Sequence, residues 1–413
     1  MTDTAGRGLR FAEIFLIFLG LGLRGFGGPV AHIALFREEF VDRRKWLDDR
    51  AFAERVAVCN FLPGPSSSQV GMALGFGAGG IPGLFAAFAG FTLPSAVLIT
   101  AFAYGASVVD YLRDPGVMLG IKLGVVAIVA NALVGMARSL CPDWYRAMIA
   151  AGAAGIMLVV PGLMSQFMAL AGGALLGLLA APDAVSDGNS DDGAGRRVLV
   201  PVILLVVFFV LLIGLPLAQP AVSHPLFDLF TVFYRVGSLV FGGGHVVLPL
   251  LDAETVGRGW IDWNSFVVGY GAAQAVPGPM FTFAAYLGAL VAPEGAAGPL
   301  LWQGALVALV GIFAPSFLLV LGILPLWQSI RNNGLVRRLL QGINAAVVGL
   351  LAAVLVSPVL TSALTPDNGP ALLIQIATIA ILFALMWFAK APSWLVLLLG
   401  IGTGIAVQGT GLV

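Results

Sequence analysis

The residues of this chain that could do chemistry fall into two sets of the same kinds. Arg24 stands inside an apolar run directly before Gly25-Phe26-Gly27-Gly28, and it is the only basic residue between Arg10 and Arg37. An ionised group in apolar surroundings needs a partner. For Arg24 that partner is either an anion, Glu13, or the polar edge of the apolar layer. The adjoining Gly27 and Gly28 allow close backbone approach and can form an anion-binding nest. Two Pro-Gly-Pro elements, Pro63-Gly64-Pro65 and Pro277-Gly278-Pro279, form the second set. Proline lacks an N–H and favours the first turn of a helix, so each element should end one helical segment and start another. The new segments begin at Ser66-Ser67-Ser68-Gln69 and Met280-Phe281-Thr282-Phe283. Their free N–H groups and positive dipole ends suit an anion; an ordinary kink is the alternative.

Other candidates cluster beside these. Gly242-Gly243-Gly244 precedes His245, which is either an anion donor or proton carrier or a packing residue. Asn60 and Gln274 each lie three residues before a Pro-Gly-Pro and are candidate polar liners, or bridges between helices. Arg235 lies one helical turn before the position that matches Arg24, on the same face. No Walker A loop and no His-Glu-x-x-His helix occurs. With three His and two Cys in all, neither a metal site nor a cofactor is expected. A formal net charge of zero suggests no nucleic-acid partner.

These groups have to be positioned by helices in lipid. Of 413 residues, 59% are hydrophobic and 10% charged, against roughly 25% charged in soluble domains. A helix crosses the hydrocarbon with about 20 apolar residues. Residues 83–104, 117–137, 198–217 and 300–323 meet that length. The expectation is an all-α polytopic membrane protein, embedded in the bilayer, in which 54 Gly and 24 Pro mark broken or closely packed helices. Broken backbone at membrane depth is tolerated where protein or a water-filled cavity satisfies it. The N-terminal apolar run from Phe11 continues into Arg24 without a cleavage site, and it is read as a retained segment.

The sequence repeats itself in order. Phe26-Gly27-Gly28 returns as Phe241-Gly242-Gly243, Trp46-Leu47-Asp48 as Trp260-Ile261-Asp262, and Pro63-Gly64-Pro65 as Pro277-Gly278-Pro279. Pro94-Ser95 returns as Pro315-Ser316. This gives two homologous units, 8–181 and 198–413, joined by a polar linker over 182–197. The loop around Trp46 holds Arg37, Arg43, Arg44, Lys45, Arg50 and Arg55, whereas its counterpart around Trp260 holds only Arg258. Short basic loops stay cytoplasmic, so the two units are expected to be inverted relative to each other. The basic stretch itself reads as a solvated surface. The Pro-Gly-Pro breaks should then meet near the midplane, around one polar cavity that Arg24 also reaches.

The Phe26-Gly27-Gly28-Pro29 start, the Trp46-Leu47-Asp48 loop, Asn60 through Pro65 and their echoes resemble the chromate ion transporter family in its long, two-unit form. The resemblance implies export of chromate across the bacterial plasma (inner) membrane, conferring chromate resistance; the lack of a Walker A loop makes it secondary transport, driven by an ion gradient or the membrane potential. It also implies oppositely oriented halves with about 13 spans in all, each of membrane-crossing length. Carried onto this sequence, the site comprises Arg24, the paired glycines and both Pro-Gly-Pro elements, with Ser66 and Ser67 at the first new helix start. Two Arg and two helix N-termini could hold a tetrahedral dianion. A sulfate or other oxyanion carrier is the alternative, and a membrane-embedded enzyme or scaffold the more distant one. Homodimerisation is left open.

Overall fold

The computed structural model describes residues 10–108, 114–160, 163–179, 199–222, 224–241, 244–291, 301–327, 333–364 and 369–409. The linker expected over 182–197 lies outside the described residues, as do Gly242 and Gly243 and the side chain of His245. All regular secondary structure among the described residues is helical.

The chain starts with α1 (Phe11–Gly22) and α2 (Gly28–Arg37), which runs on as a π-helix over Glu38–Arg43. Next come α3 (Asp49–Phe61) and α4 (Ser66–Val108). The same succession returns in α9 (Pro225–Leu239), α10 (Val247–Leu251) with a π-helix over Asp252–Val256, and α11 (Trp263–Ala275). After a 3-10 turn at Met280–Thr282 it continues as α12 (Phe283–Leu290) and α13 (Leu301–Ile323). The Asp of each Trp-x-Asp loop proves to be a helix cap: Asp48 accepts from the Ala51 N–H at 2.7 Å, and Asp262 from the Ser265 N–H at 3.0 Å. The 43-residue α4 is two helices in one, bent at Gly79 and Gly80, whose backbones leave the helical region.

The remaining helices are α5 (Pro115–Leu140), α6 (Trp144–Val159), α7 (Leu163–Leu179), α8 (Leu199–Ala218), α14 (Gly334–Val354), α15 (Gly369–Phe388) and α16 (Ser393–Gly409). They pack crosswise. Helix α14 packs against α6 and α7, while α5 packs against α15 and α16. The contacts of α5 with α16 and of α7 with α14 close through small residues, with Gly116 and Gly120 against Gly400 and Gly404, and Gly173 and Gly177 against Gly342.

Six helices among the described residues are long and apolar enough to cross a membrane, and five shorter ones are apolar. The protein is a multi-pass membrane protein. All four stretches read from the sequence as spans fall on these six helices. Helix α8 exposes Val206, Phe209, Val210 and Ile213 on its surface, as a lipid-facing span does. Helix α1, by contrast, buries Ile14, Phe18 and Leu21 against α4 and belongs to the core.

Candidate functional site

Each Pro-Gly-Pro ends one helix and begins the next. Helix α3 stops at Phe61 and α4 starts at Ser66; α11 stops at Ala275 and the 3-10 turn starts at Met280. At the centre of each turn the glycine has a positive φ, +112° at Gly64 and +115° at Gly278. An L-residue rarely adopts this conformation, so these two positions need glycine.

The breaks are joined crosswise to the other half of the chain. The Gly278 N–H donates to the Gly25 carbonyl at 2.7 Å, and the Gly64 N–H donates to the Val240 carbonyl at 2.7 Å. Each break therefore closes onto the segment that leads into the other half's Phe-Gly-Gly. The repeated Pro-Ser pairs act as braces. Gln69 donates to the Pro63 carbonyl at 2.6 Å and to Ser316 Oγ at 3.1 Å. Thr282 donates to the Pro279 carbonyl at 2.8 Å and accepts from Ser95 Oγ at 2.6 Å.

Between Gly27-Gly28 and the second break lies a cavity of about 40 Å³. The N-terminus of α2, Gln274, Gly278 and Ser393 line it. Gly27, the N-cap of α2, is left-handed at φ 95°, and Gly27, Gly28 and Pro29 at the start of that helix line the cavity. Ser66 and Ser67 are buried at the start of α4, and the neighbouring Ser68 Oγ and Gln69 Oε1 are buried with no hydrogen-bond partner.

The sequence model of chromate transporters matches residues 12–178 and again 227–405. The chain belongs to the chromate transporter family. It is the long form, with one family match on either side of α8. It is 28% identical over 402 residues to the chromate transport protein of Pseudomonas aeruginosa, covering 94% of this chain and 90% of that one. It is 24% identical over 386 residues to the chromate transport protein of Cupriavidus metallidurans, covering 90% and 87%. The uncharacterized transporter YwrA of Bacillus subtilis is 30% identical over 134 residues, which is 32% of this chain and 74% of that protein. No solved structure matches the chain.

Within the first family match, Arg24 does not line the cavity. It is exposed, and its Nε donates to the Gly20 carbonyl at 3.0 Å, at the end of its own helix. Asn60 is likewise exposed. Within the second match, Arg235 is largely buried and paired with Glu254 at 2.5 Å, beside Gln166 and Leu250, and does not line the cavity. The two arginines, read from the sequence as lying on the same face of matching segments, therefore occupy different environments. Residues Gly27, Gly28, Gln274, Gly278 and the start of α2 are brought together; Gly64, Pro65, Ser66 and Ser67 stand on the other side of the cross-brace.

Three residues were not picked out from the sequence. His32 is buried and links the two breaks: Nε2–H donates to the Gly25 carbonyl at 2.9 Å, and Nδ1 accepts from Ser67 Oγ at 3.2 Å. The carbonyl contact fixes which ring nitrogen carries the proton. Glu39 and Glu254 are buried in the π-helices that follow α2 and α10, and each binds two arginines. Glu39 binds Arg43 at 2.9 Å and Arg44 at 2.5 Å, and Glu254 binds Arg258 at 2.8 Å as well as Arg235. The stretch from Arg37 to Arg55 is thus not wholly a solvated surface, because Glu39 and Phe40 turn inward. The matched spacing of Glu39 and Glu254, at the same offset as the glycine runs, was the available signal.

Proposed function

We propose that this protein is a secondary transporter that exports chromate across the bacterial plasma membrane and so confers chromate resistance. The observation that carries this reading is the crossed pair of hydrogen bonds, Gly278 to Gly25 and Gly64 to Val240. It places a helix N-terminus from one half against a break from the other, which is how secondary transporters build anion sites at a repeat interface. The family membership supplies the substrate class. A tetrahedral dianion can take N–H donors from the α2 terminus and the amide of Gln274, and sulfate, of similar size and charge, is the competing substrate.

A cavity of about 40 Å³ holds about three water-sized groups. A four-oxygen anion exceeds it, so loading requires α2 and α11 to part. In this reading the halves are inverted repeats. The basic residues around Trp46 hold that loop in the cytoplasm, while the loop of Trp260 faces outward. For units with an even number of crossings each, the single span α8 between the two family matches supplies the inversion.

Flux of radiolabelled chromate and sulfate into vesicles holding the purified protein tests the reading. Saturable chromate flux, inhibited by sulfate in proportion to its affinity, is the expected result. No saturable flux of any oxyanion would overturn it.

A further inference from the structure

A second cavity, about 430 Å³ in volume, opens between α3, the first part of α4 and the chain just beyond α13. Its lining includes Arg55, Phe76, Gly77 and Trp327. We infer that it is a vestibule on the side of the first break where an oxyanion first docks, with Arg55 as its docking cation. The inference rests on the transport reading and adds a site to it.

Charge is the first support. The Nη1 of Arg55 donates to the Ala51 carbonyl at 3.1 Å, one turn back on its own helix. Among the described residues no carboxylate lies within ion-pair distance of Arg55, whereas Arg37, Arg43, Arg44, Arg235 and Arg258 are each paired. The nearest acidic neighbour in the lining, Glu54, turns to Arg50 at 3.7 Å. The guanidinium therefore keeps a fork of donors for a planar face of an oxyanion.

Shape is the second. Opposite Arg55 stands Gly77, where a Cβ would lie 3.5 Å from Nη2, so the missing side chain leaves the guanidinium uncovered. From Arg55, α3 runs on for about 9 Å, at 1.5 Å per residue, to Phe61 and the Pro-Gly-Pro. Phe61, the last residue of α3 before the break, stacks edge-on at 5.2 Å against Trp327, which lines the vestibule.

Asymmetry is the third. The position matching Arg55 in the other half is Gly269, and there the ring of Tyr286 fills the space a Cβ would take. Helices α11 and α12 bury Phe266, Tyr270 and Phe283 along the same hairpin. The vestibule thus belongs to the half with the basic loop. On the topology proposed above, it faces the cytoplasm and loads an exporter.

Chromate uptake kinetics in vesicles, for the unsubstituted chain and for Arg55→Gln, Arg55→Lys and Gly77→Val, test this. Loss of one charge-assisted contact in Arg55→Gln should raise KM about tenfold, more than it lowers the maximal rate, and should flatten the dependence of KM on ionic strength. Arg55→Lys should restore most of the affinity, and Gly77→Val should raise KM by crowding the guanidinium without touching the charge. KM within about twofold of the unsubstituted value in both Arg55→Gln and Gly77→Val, with normal flux, would overturn the vestibule and leave the transport reading standing. Absence of saturable flux in the unsubstituted protein would instead remove the reading on which it rests.

Discussion

The Gly278 amide and the Gly25 carbonyl meet at 2.7 Å across the two halves of the chain. That same carbonyl takes a second bond from His32, so one oxygen anchors the second break and, through His32 and Ser67, the helix that leaves the first. The breaks do not share an open chamber; they are laced together by backbone and imidazole.

The turn glycines should be the least replaceable residues of the lacing. Valine at Gly278 or Gly64 forces a positive φ on a β-branched residue, a strain of about 1–3 kcal/mol, and at Gly278 it also presses on Ser95 Cβ 2.7 Å away. Gly278→Val and Gly64→Val should abolish chromate flux while the protein still inserts. Gly83, which lies outside every motif, is no neutral comparator, because a Cβ there would run into the Gly75 carbonyl. Gly152, with open space around it, is the suitable control. Equal flux in Gly152→Val and Gly64→Val would reduce the break to an ordinary bend.

His32 should matter through the groups it joins. His32→Ala removes two buried hydrogen bonds, each worth about 1 kcal/mol net, and frees Gly25 and Ser67 to move. The expected result is a lower maximal rate of flux with a small loss of thermal stability in detergent. His32→Phe, which fills the volume without bonding, should do no better. Full activity in either variant would show the link to be dispensable.

The buried carboxylates make a stability prediction. Removing one partner of a buried ion pair costs about 3–5 kcal/mol. Arg235→Met should therefore destabilise the protein strongly, and Arg235→Met combined with Glu254→Gln less than the two single effects added. Thermal unfolding of the purified variants measures it; strict additivity would mean that the pair at 2.5 Å carries no coupling.

Arg24 carries a sharper either-or. Arg24→Ala should lower flux severely, and Arg24→Lys should recover part, because lysine keeps charge but not the planar fork. Flux at the unsubstituted level in Arg24→Ala would confine Arg24 to closing its own helix on Gly20.

Topology is accessible to labelling. Single cysteines near Arg44 and near Arg258, in a chain lacking Cys59 and Cys141, should react with an impermeant thiol reagent from opposite sides. Labelling from one side only would mean parallel halves. Cys141 must be removed because it is partly exposed, whereas Cys59 is buried.

Much of this architecture was legible because its signals are local. Apolar runs announce spans by their length, and Pro63-Gly64-Pro65 and Pro277-Gly278-Pro279 stop helices wherever they fall. The pairing of Gly278 with Gly25 was not legible: it is a contact between distant backbone atoms, and no side-chain pattern encodes it. Glu39 was hidden by company, since a carboxylate among Arg37, Arg43 and Arg44 reads as a solvated surface until the π-helix turns it inward. Arg24 shows the reverse: its apolar neighbours in the sequence said only that the charge needs a partner, and the structure gives it the Gly20 carbonyl at an exposed position past the end of α1.

The crosswise packing of α5 against α16 sets an order of assembly. The Gly116 N–H donates to Gln408 Oε1 at 2.9 Å, and Gln408 Nε2 donates back to Asp114, the cap of α5, at 3.3 Å; Gly116 and Gln408 are separated by 292 residues. On the ribosome α5 enters the bilayer while its covering helix is still untranslated, so its glycine face has only lipid for company until α16 arrives. A chain halted before residue 393 would display that bare glycine stripe.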